Sequence, residues 1–279
     1  MRRDLLIRFL QVYPFQPATA LWRAVEIAQV VEHGVPEGRG VDLGCGDGLL
    51  TRIVLEEVGR RNVVGVDPDA SEAAHAEDLG IYSAVHTVGG DMVPEPDGSF
   101  DWVLSNSVLE HIDQIEPVLA EVGRLLRPGG EFIFTVPGPD FHACLRGPLL
   151  PGASRDAYLR HLDSRVAHRR YWGRSEWQNA LSPTGLSVVD ATPYLGVGQV
   201  RRWESIARVT AGVLYTLTAR KRQPIEIQRQ LGLRKPGRRM RPALARLVAR
   251  FIAIGLNGAS GPTDVKFGCC WFKAIKSSE

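Results

Sequence analysis

Cysteine is scarce in this chain, and what there is suits neither a metal site nor a crosslinked scaffold. The four residues are Cys45, Cys144, Cys269 and Cys270. Their spacing matches no zinc site, and they read as reduced thiols of a cytosolic protein. Long uncharged runs are also missing: no stretch reaches the ~20 residues that span a bilayer. At the N-terminus, Asp4 and Arg8 interrupt the apolar run, so an amphipathic helix is expected there rather than a signal peptide. Internal repeats and low-complexity tracts are lacking as well. Acidic residues run short in two places. Residues 201–250 hold fourteen Arg or Lys against Glu204 and Glu226, a net +12, and residues 146–174 hold seven Arg against Asp156 and Asp163, a net +5. The whole chain carries only +3, so the rest is strongly acidic.

What the chain does have is glycine placed with a purpose. Val41-Asp42-Leu43-Gly44-Cys45-Gly46-Asp47-Gly48 ends an apolar run in three glycines at alternate positions, and the helix-like segment Leu49, Leu50, Ile53, Val54 follows at once. This reads as strand, tight turn, helix, with a backbone that a ligand can approach closely because glycine has no Cβ. Twenty-one residues past Gly46, a second apolar run, Val63–Val66, ends in Asp67. An acid at that point grips a ribose diol in nucleotide-binding α/β folds. The spacing is not that of a dinucleotide fingerprint, since Leu49 stands where the third glycine would be. Asp47, at the start of the coming helix, would repel a pyrophosphate and suits a ligand carrying ammonium and sulfonium charges.

Strand and helix signals alternate through residues 37–137, which predicts an α/β fold with a mostly parallel sheet. Ala84–Val88 is the third strand, followed by Gly89-Gly90-Asp91-Met92. The fourth runs from Ser99 into Ser105-Asn106-Ser107-Val108-Leu109-Glu110-His111-Ile112. Leu126-Arg127-Pro128-Gly129-Gly130 is a helix end and turn leading into a fifth strand through Pro137. Segments 184–191 and 265–275 supply the last two strands of seven. Residues 1–36 are expected as two helices covering the cofactor site. Residues 138–183 are expected as a lid whose Ser175-Glu176-Trp177-Gln178 is a capping box. Residues 192–264 form a basic helical insertion within what is otherwise one domain. That insertion contains two amphipathic helix candidates, one facing Trp203, Ile206, Thr210, Val213, Leu214 and Leu217, the other Leu244, Leu247, Val248, Phe251, Ile252 and Gly255. Such faces either pack on the protein or lie on an anionic membrane from the cytoplasmic side.

These blocks, in this order over about residues 38–137, resemble the class I S-adenosylmethionine (SAM)-dependent methyltransferases, in their type 11 small-molecule branch. The resemblance implies a Rossmann-like fold and SAM as cofactor. It places Gly44, Cys45, Gly46 and Gly48 along the methionine part and Asp42 near the ammonium. Asp67 and Pro68 fall at the ribose, and Gly90, Asp91 and Met92 at the adenine, with Ser105 and Asn106 beside the methyl donor. Some relatives hold a divalent metal with Glu-x-x-Glu-His at the position of Ser107–His111. Ser107 removes one oxygen ligand, so no metal is expected. No Asn-Pro-Pro-Tyr stands after the fourth strand, which argues against methylation of amide or nucleobase amines.

Methyl transfer from an activated sulfonium needs alignment, and a base only if the acceptor is a poorly acidic hydroxyl. His111, His142 and Asp140 follow strands four and five and are the candidates. Within 146–174, the residues Arg165, His168, Arg169, Arg170 and Tyr171 are candidates for an anionic acceptor, since guanidinium forks suit phosphate and carboxylate. The same strip could bind RNA, but no RNA-binding module accompanies it. The expectation is a methyltransferase acting on an oxygen of a small or lipid-linked acceptor, anionic or saccharide. A quinone or other apolar acceptor is the alternative, and a non-catalytic SAM-fold protein at a membrane is the alternative of another class.

Overall fold

A computed structural model of the chain describes residues 1–212, 239–256 and 266–278. The first half contains α1 (Arg3–Val12), α2 (Pro17–His33), β1 (Arg39–Leu43), α3 (Leu49–Val58), β2 (Asn62–Val66), α4 (Ala70–Asp78), β3 (Ala84–His86), β4 (Phe100–Asn106), α5 (Ile115–Leu125) and β5 (Leu126–Pro137). The second contains α6 (Phe141–Cys144), α7 (Arg155–Val166), α8 (Arg174–Leu181), β6 (Leu186–Gly196), α9 (Val197–Ala207), α10 (Pro242–Ala253) and β7 (Phe267–Lys276). The chain divides into two compact units, and the expected lid at 138–183 is shared between them.

One unit comprises Gln29–Pro139, Arg169–Pro193 and Cys269–Glu279. Its sheet has seven strands in the order β3-β2-β1-β4-β5-β7-β6. Strands β1 to β5 pair in parallel, and β7 runs antiparallel to β5. The sheet is therefore mostly parallel, as the alternating pattern predicts. Val63, Val64 and Val66 are buried to within 1%, which is why β2 reads as an unbroken apolar run rather than an alternating one. Phe134 lies 4.9 Å from Trp177 and 5.0 Å from Phe272 between ring centres, binding α8, β5 and β7 into one core. Removing a fully buried ring such as Trp177 costs ~3–5 kcal/mol.

Three local expectations are corrected. The capping residue of α8 is Gly173, not Ser175: the Glu176 carboxylate accepts from the Gly173 N–H at 3.2 Å, while Gln178 accepts from Val188 N–H. Pro128-Gly129-Gly130 lies inside β5, where the register with β4 shifts, instead of forming a separate turn. β6 continues to Gly196, five residues into the segment expected as insertion.

The other unit comprises Met1–Ala28, Asp140–His168 and Tyr194–Gly268. Its core brings together Trp22, Phe141 and Trp203, with ring centres 5.3 to 5.8 Å apart. Glu204 is fully buried and accepts from the backbone N–H of Arg146 and Gly147 and from the guanidinium of Arg208 at 2.7 Å. That network is the physical reason a charged residue can sit in the core. Of the first predicted amphipathic face, Trp203 is buried on α9. Val213, Leu214 and Leu217 lie outside the described residues. On the second, α10 forms as predicted, but Leu244, Leu247 and Phe251 are exposed, and its buried side is Ala245, Ala249, Ile252 and Ala253.

Candidate cofactor cleft

The strand order reverses direction between β1 and β4, the switch point where open α/β sheets bind ligands at the carboxyl ends of their strands. A cleft of about 310 Å³ opens there. It is lined by Leu43 and Gly44 after β1, Val66 and Pro68 after β2, Gly89, Gly90 and Asp91 after β3, and Val108, Ile112, Gln114 and Val118 beyond β4.

The glycine loop is shaped by its backbone. Gly44, Gly46 and Gly48 have φ of +79°, +53° and +71°, a region that L side chains avoid. A Cβ on Gly44 would come within 2.5 Å of the Val108 side chain. The Gly44 and Cys45 N–H groups donate to Val66 O at 2.8 and 3.0 Å, stitching the loop to β2. Asp67 fixes the loop from the other side. Its carboxylate accepts from Gly46 N–H and from Asp69 N–H, both at 2.9 Å. Burial raises its pKa, opposed by those two donors. Each carboxylate oxygen keeps further acceptor capacity for a ligand hydroxyl. Asp47 accepts from Leu49 N–H at 3.2 Å, so a carboxylate does cap the start of α3 where a pyrophosphate would bind.

Asp42 is buried, and its carboxylate accepts from the hydroxyls of Thr51 and, at 2.6 Å, Tyr82. Burial pushes its carboxyl up to about 6, with the two hydroxyl donors opposing. Burial also drives the Cys45 thiol far up, reinforced by Asp42 and Asp67, so Cys45 contributes backbone and not a reactive thiolate.

The loop after β3 is braced from α5. Val93 N–H donates to the Glu121 carboxylate at 2.7 Å, and Arg124 donates to Val93 O and Glu95 O at 2.9 and 2.8 Å. Asp91 and Gly90 line the cleft, and a Cβ on Gly90 would meet Leu43 at 2.8 Å. Met92 does not: its side chain is 76% exposed, and the apolar walls come instead from Leu43, Val66, Val108, Ile112 and Val118. Ser105 is also differently employed, donating to Leu43 O at 3.1 Å inside the sheet. Asn106 accepts from the Thr135 hydroxyl at 3.5 Å. Ser107 has φ of +48° and donates to Thr135 O at 2.9 Å, locking the tip of β4 to β5.

The remaining candidates do not line the cleft. His111 is exposed, 3.8 Å from the buried carboxylate of Glu110, and is not among the cleft's walls. Arg169 pairs with Asp113 at 2.9 Å, and its N–H donates to Glu110 O. Arg170 donates to Leu109 O and, at 3.1 Å, to Asp113 O, and stacks over Trp172. Burial lowers the Arg170 pKa. These two arginines brace the 109–113 turn, which carries the cleft residue Ile112. Tyr171 follows them, half-buried. In the helical unit, Arg165 is buried at 8% exposure and His168 faces Phe141 at 5.8 Å. His142 Nε2 bonds Asp163 at 2.9 Å, and Asp140 lies 3.9 Å from Lys266. Reasoning from sequence misses Asp163, Tyr82, Val108 and Gln114. Asp163 lies 21 residues from its partner, and no spacing rule joins them.

The description "methyltransferase domain" matches residues 41–134. Over 163 residues the chain is 29% identical to a ubiquinone biosynthesis O-methyltransferase of Rhizobium etli, covering 55% of this chain and 62% of that protein. Over 156 residues it is 36% identical to a probable S-adenosylmethionine-dependent methyltransferase of Mycolicibacterium smegmatis, covering 55% and 54%. The chain thus spans less than two thirds of the length of these curated relatives. Among solved structures, a SAM-dependent methyltransferase from Thermotoga maritima superposes with a TM-score of 0.52 at 16% identity, over 95% of this chain and 93% of that one, which shows the fold.

Proposed function

We propose, from the premise that this chain belongs to the class I SAM-dependent methyltransferases through its domain at residues 41–134, that it transfers a methyl group from SAM to an oxygen of a small-molecule or lipid-linked acceptor. The observation that carries the reading is the cleft. Glycine at Gly44 and Gly90 lets the backbone sit against Val108 and Leu43 where a Cβ would clash, the apolar walls suit a purine, Asp91 lines the cleft as an acceptor for an amine, and Asp67, holding the glycine loop, is an acceptor for hydroxyls. When bound, SAM supplies a methyl group already activated on a sulfonium. The protein's own work is then alignment and exclusion of water. Asp67 accepts from the ribose hydroxyls while holding Gly46, and Asp42 offers negative charge behind the glycine loop. Of the base candidates His111, His142 and Asp140, His142 is the one hydrogen-bonded to a carboxylate from another helix, Asp163 at 2.9 Å.

The arginines bear on the acceptor. Arg169 and Arg170 are engaged with Asp113 and backbone carbonyls, and Arg165 is buried. That favours an apolar, quinone-like hydroxyl over a free anionic saccharide, and the name of the Rhizobium relative supports it. Peripheral association with an anionic membrane fits an acceptor of that kind. The test is methyl transfer from labelled SAM to a hydroxylated polyprenyl quinol and to a phosphorylated saccharide. Transfer to the quinol, lost when Gly44→Ala removes SAM binding, supports this reading. Transfer to the saccharide alone reverses the acceptor assignment.

A further inference from the structure

Helix α10 presents to solvent the side of an amphipathic helix that would ordinarily be buried. Ala245, Ala249 and Ala253, with Ile252, are the buried residues, and the helix packs against α1. The opposite side carries Leu244, Leu247 and Phe251, exposed by 50, 51 and 60%, and Ile254 continues the stripe at 57%. Steps of three, four and three residues put these four on one ridge. The ridge is held at both ends, by Met240 N–H donating to Gln11 O and by Arg202 donating to Ile254 O at 2.7 Å. It is therefore a fixed feature of the helical unit and not a fraying terminus.

The charges beside it are of one sign. Residues 239–256 include Arg239, Arg241, Arg246 and Arg250 and no Asp or Glu. Arg246 and Arg250 are exposed and lie along the flank of the ridge. A guanidinium on a long stem can reach lipid phosphate while its neighbours' apolar side chains enter the acyl boundary. An apolar ridge on a convex helix whose own charges are all cationic is the complement of an anionic bilayer surface. No helix among the described residues is long and apolar enough to cross a membrane, so the contact would be made from one side.

We propose that Leu244, Leu247, Phe251 and Ile254, with Arg246 and Arg250, form a docking face for anionic lipid. The choice of partner rests on the reading of an enzyme with an apolar or lipid-linked acceptor; the exposed ridge does not. The experiment uses the full chain with vesicles of phosphatidylglycerol and phosphatidylcholine in equal parts, and with phosphatidylcholine alone. Co-sedimentation is expected with the first, weakened by salt, and much less with the second. Phe251→Asp and Leu247→Ser should each reduce binding about tenfold, and Arg246→Gln with Arg250→Gln should remove the preference for phosphatidylglycerol. All should leave the melting temperature and SAM affinity unchanged. The proposal is overturned if the wild type ignores both vesicles. It is equally overturned if Phe251→Asp lowers the melting temperature sharply, which would mean protein covers the ridge, or if the variants dissociate a dimer seen by light scattering. SAM titration reads the cofactor cleft separately, so loss of the methyltransferase reading and loss of this one are distinct results.

Discussion

The glycine loops around Gly44 and the arginine strip around Arg170 both look functional in sequence, and they behave oppositely in three dimensions. At the loops, the backbone takes the form the motif suggests: left-handed at Gly44, Gly46 and Gly48, with the Asp67 carboxylate accepting from Gly46 N–H. At the strip, the charged groups turn inward to the protein's own carbonyls and to Asp113. Glycine placement encodes backbone geometry and has few other uses. An arginine cluster encodes only charge, which the protein can satisfy internally as readily as with a ligand.

The comparison breaks most sharply at Gly44. Gly44→Ala sets a Cβ against Val108 at a φ of +79°, and SAM affinity should fall by more than about 3 kcal/mol, beyond calorimetric detection. Unchanged affinity would place the ligand elsewhere. Arg170→Ala should have a smaller effect of a different kind. Loss of the brace on the 109–113 turn should lower the melting temperature and weaken SAM binding by about 1–2 kcal/mol. A rise in acceptor KM with SAM binding intact would restore Arg170 as an acceptor ligand.

The smallest effect is one of pH. With the Asp42 carboxyl near 6, raised above its ordinary 3.8 by burial, the free folded protein binds a proton that the unfolded chain has already released. Its contribution to stability is thus present below pH 4 and lost as pH rises through 6. A ligand ammonium needs the carboxylate, so SAM affinity should rise at most about tenfold from pH 5 to pH 7. In Asp42→Asn that rise should be flat when followed by calorimetry across the same range.

The fold is largely legible in sequence because the parallel sheet advertises itself: apolar runs such as Val63–Val66 end in glycine or acid at a regular beat. Met92 and Ser105 depart from expectation because a motif gives the position of a residue and not its rotamer. Met92 turns to solvent, and Ser105 sits inside a strand where Leu43 O accepts its hydroxyl. On α10 the periodicity predicts the helix but not the face it buries. The larger side chains suggest the packed side, yet alanines allow the closer approach to α1, so the bulk is left outside. The pairing of His142 with Asp163 depends on how α6 and α7 pack, which no local pattern in sequence records.

Titration calorimetry of the wild type and of Asp67→Ala, each with SAM and with NAD, tests the central claim that the cleft at the β1–β4 switch point is a SAM site. The wild type should bind one SAM and no NAD. Asp67→Ala, which loses both the ribose acceptor and the hold on Gly46 N–H, should bind SAM more weakly by about 1.5–3 kcal/mol. Tight NAD binding, or SAM affinity indifferent to Asp67→Ala, would contradict it.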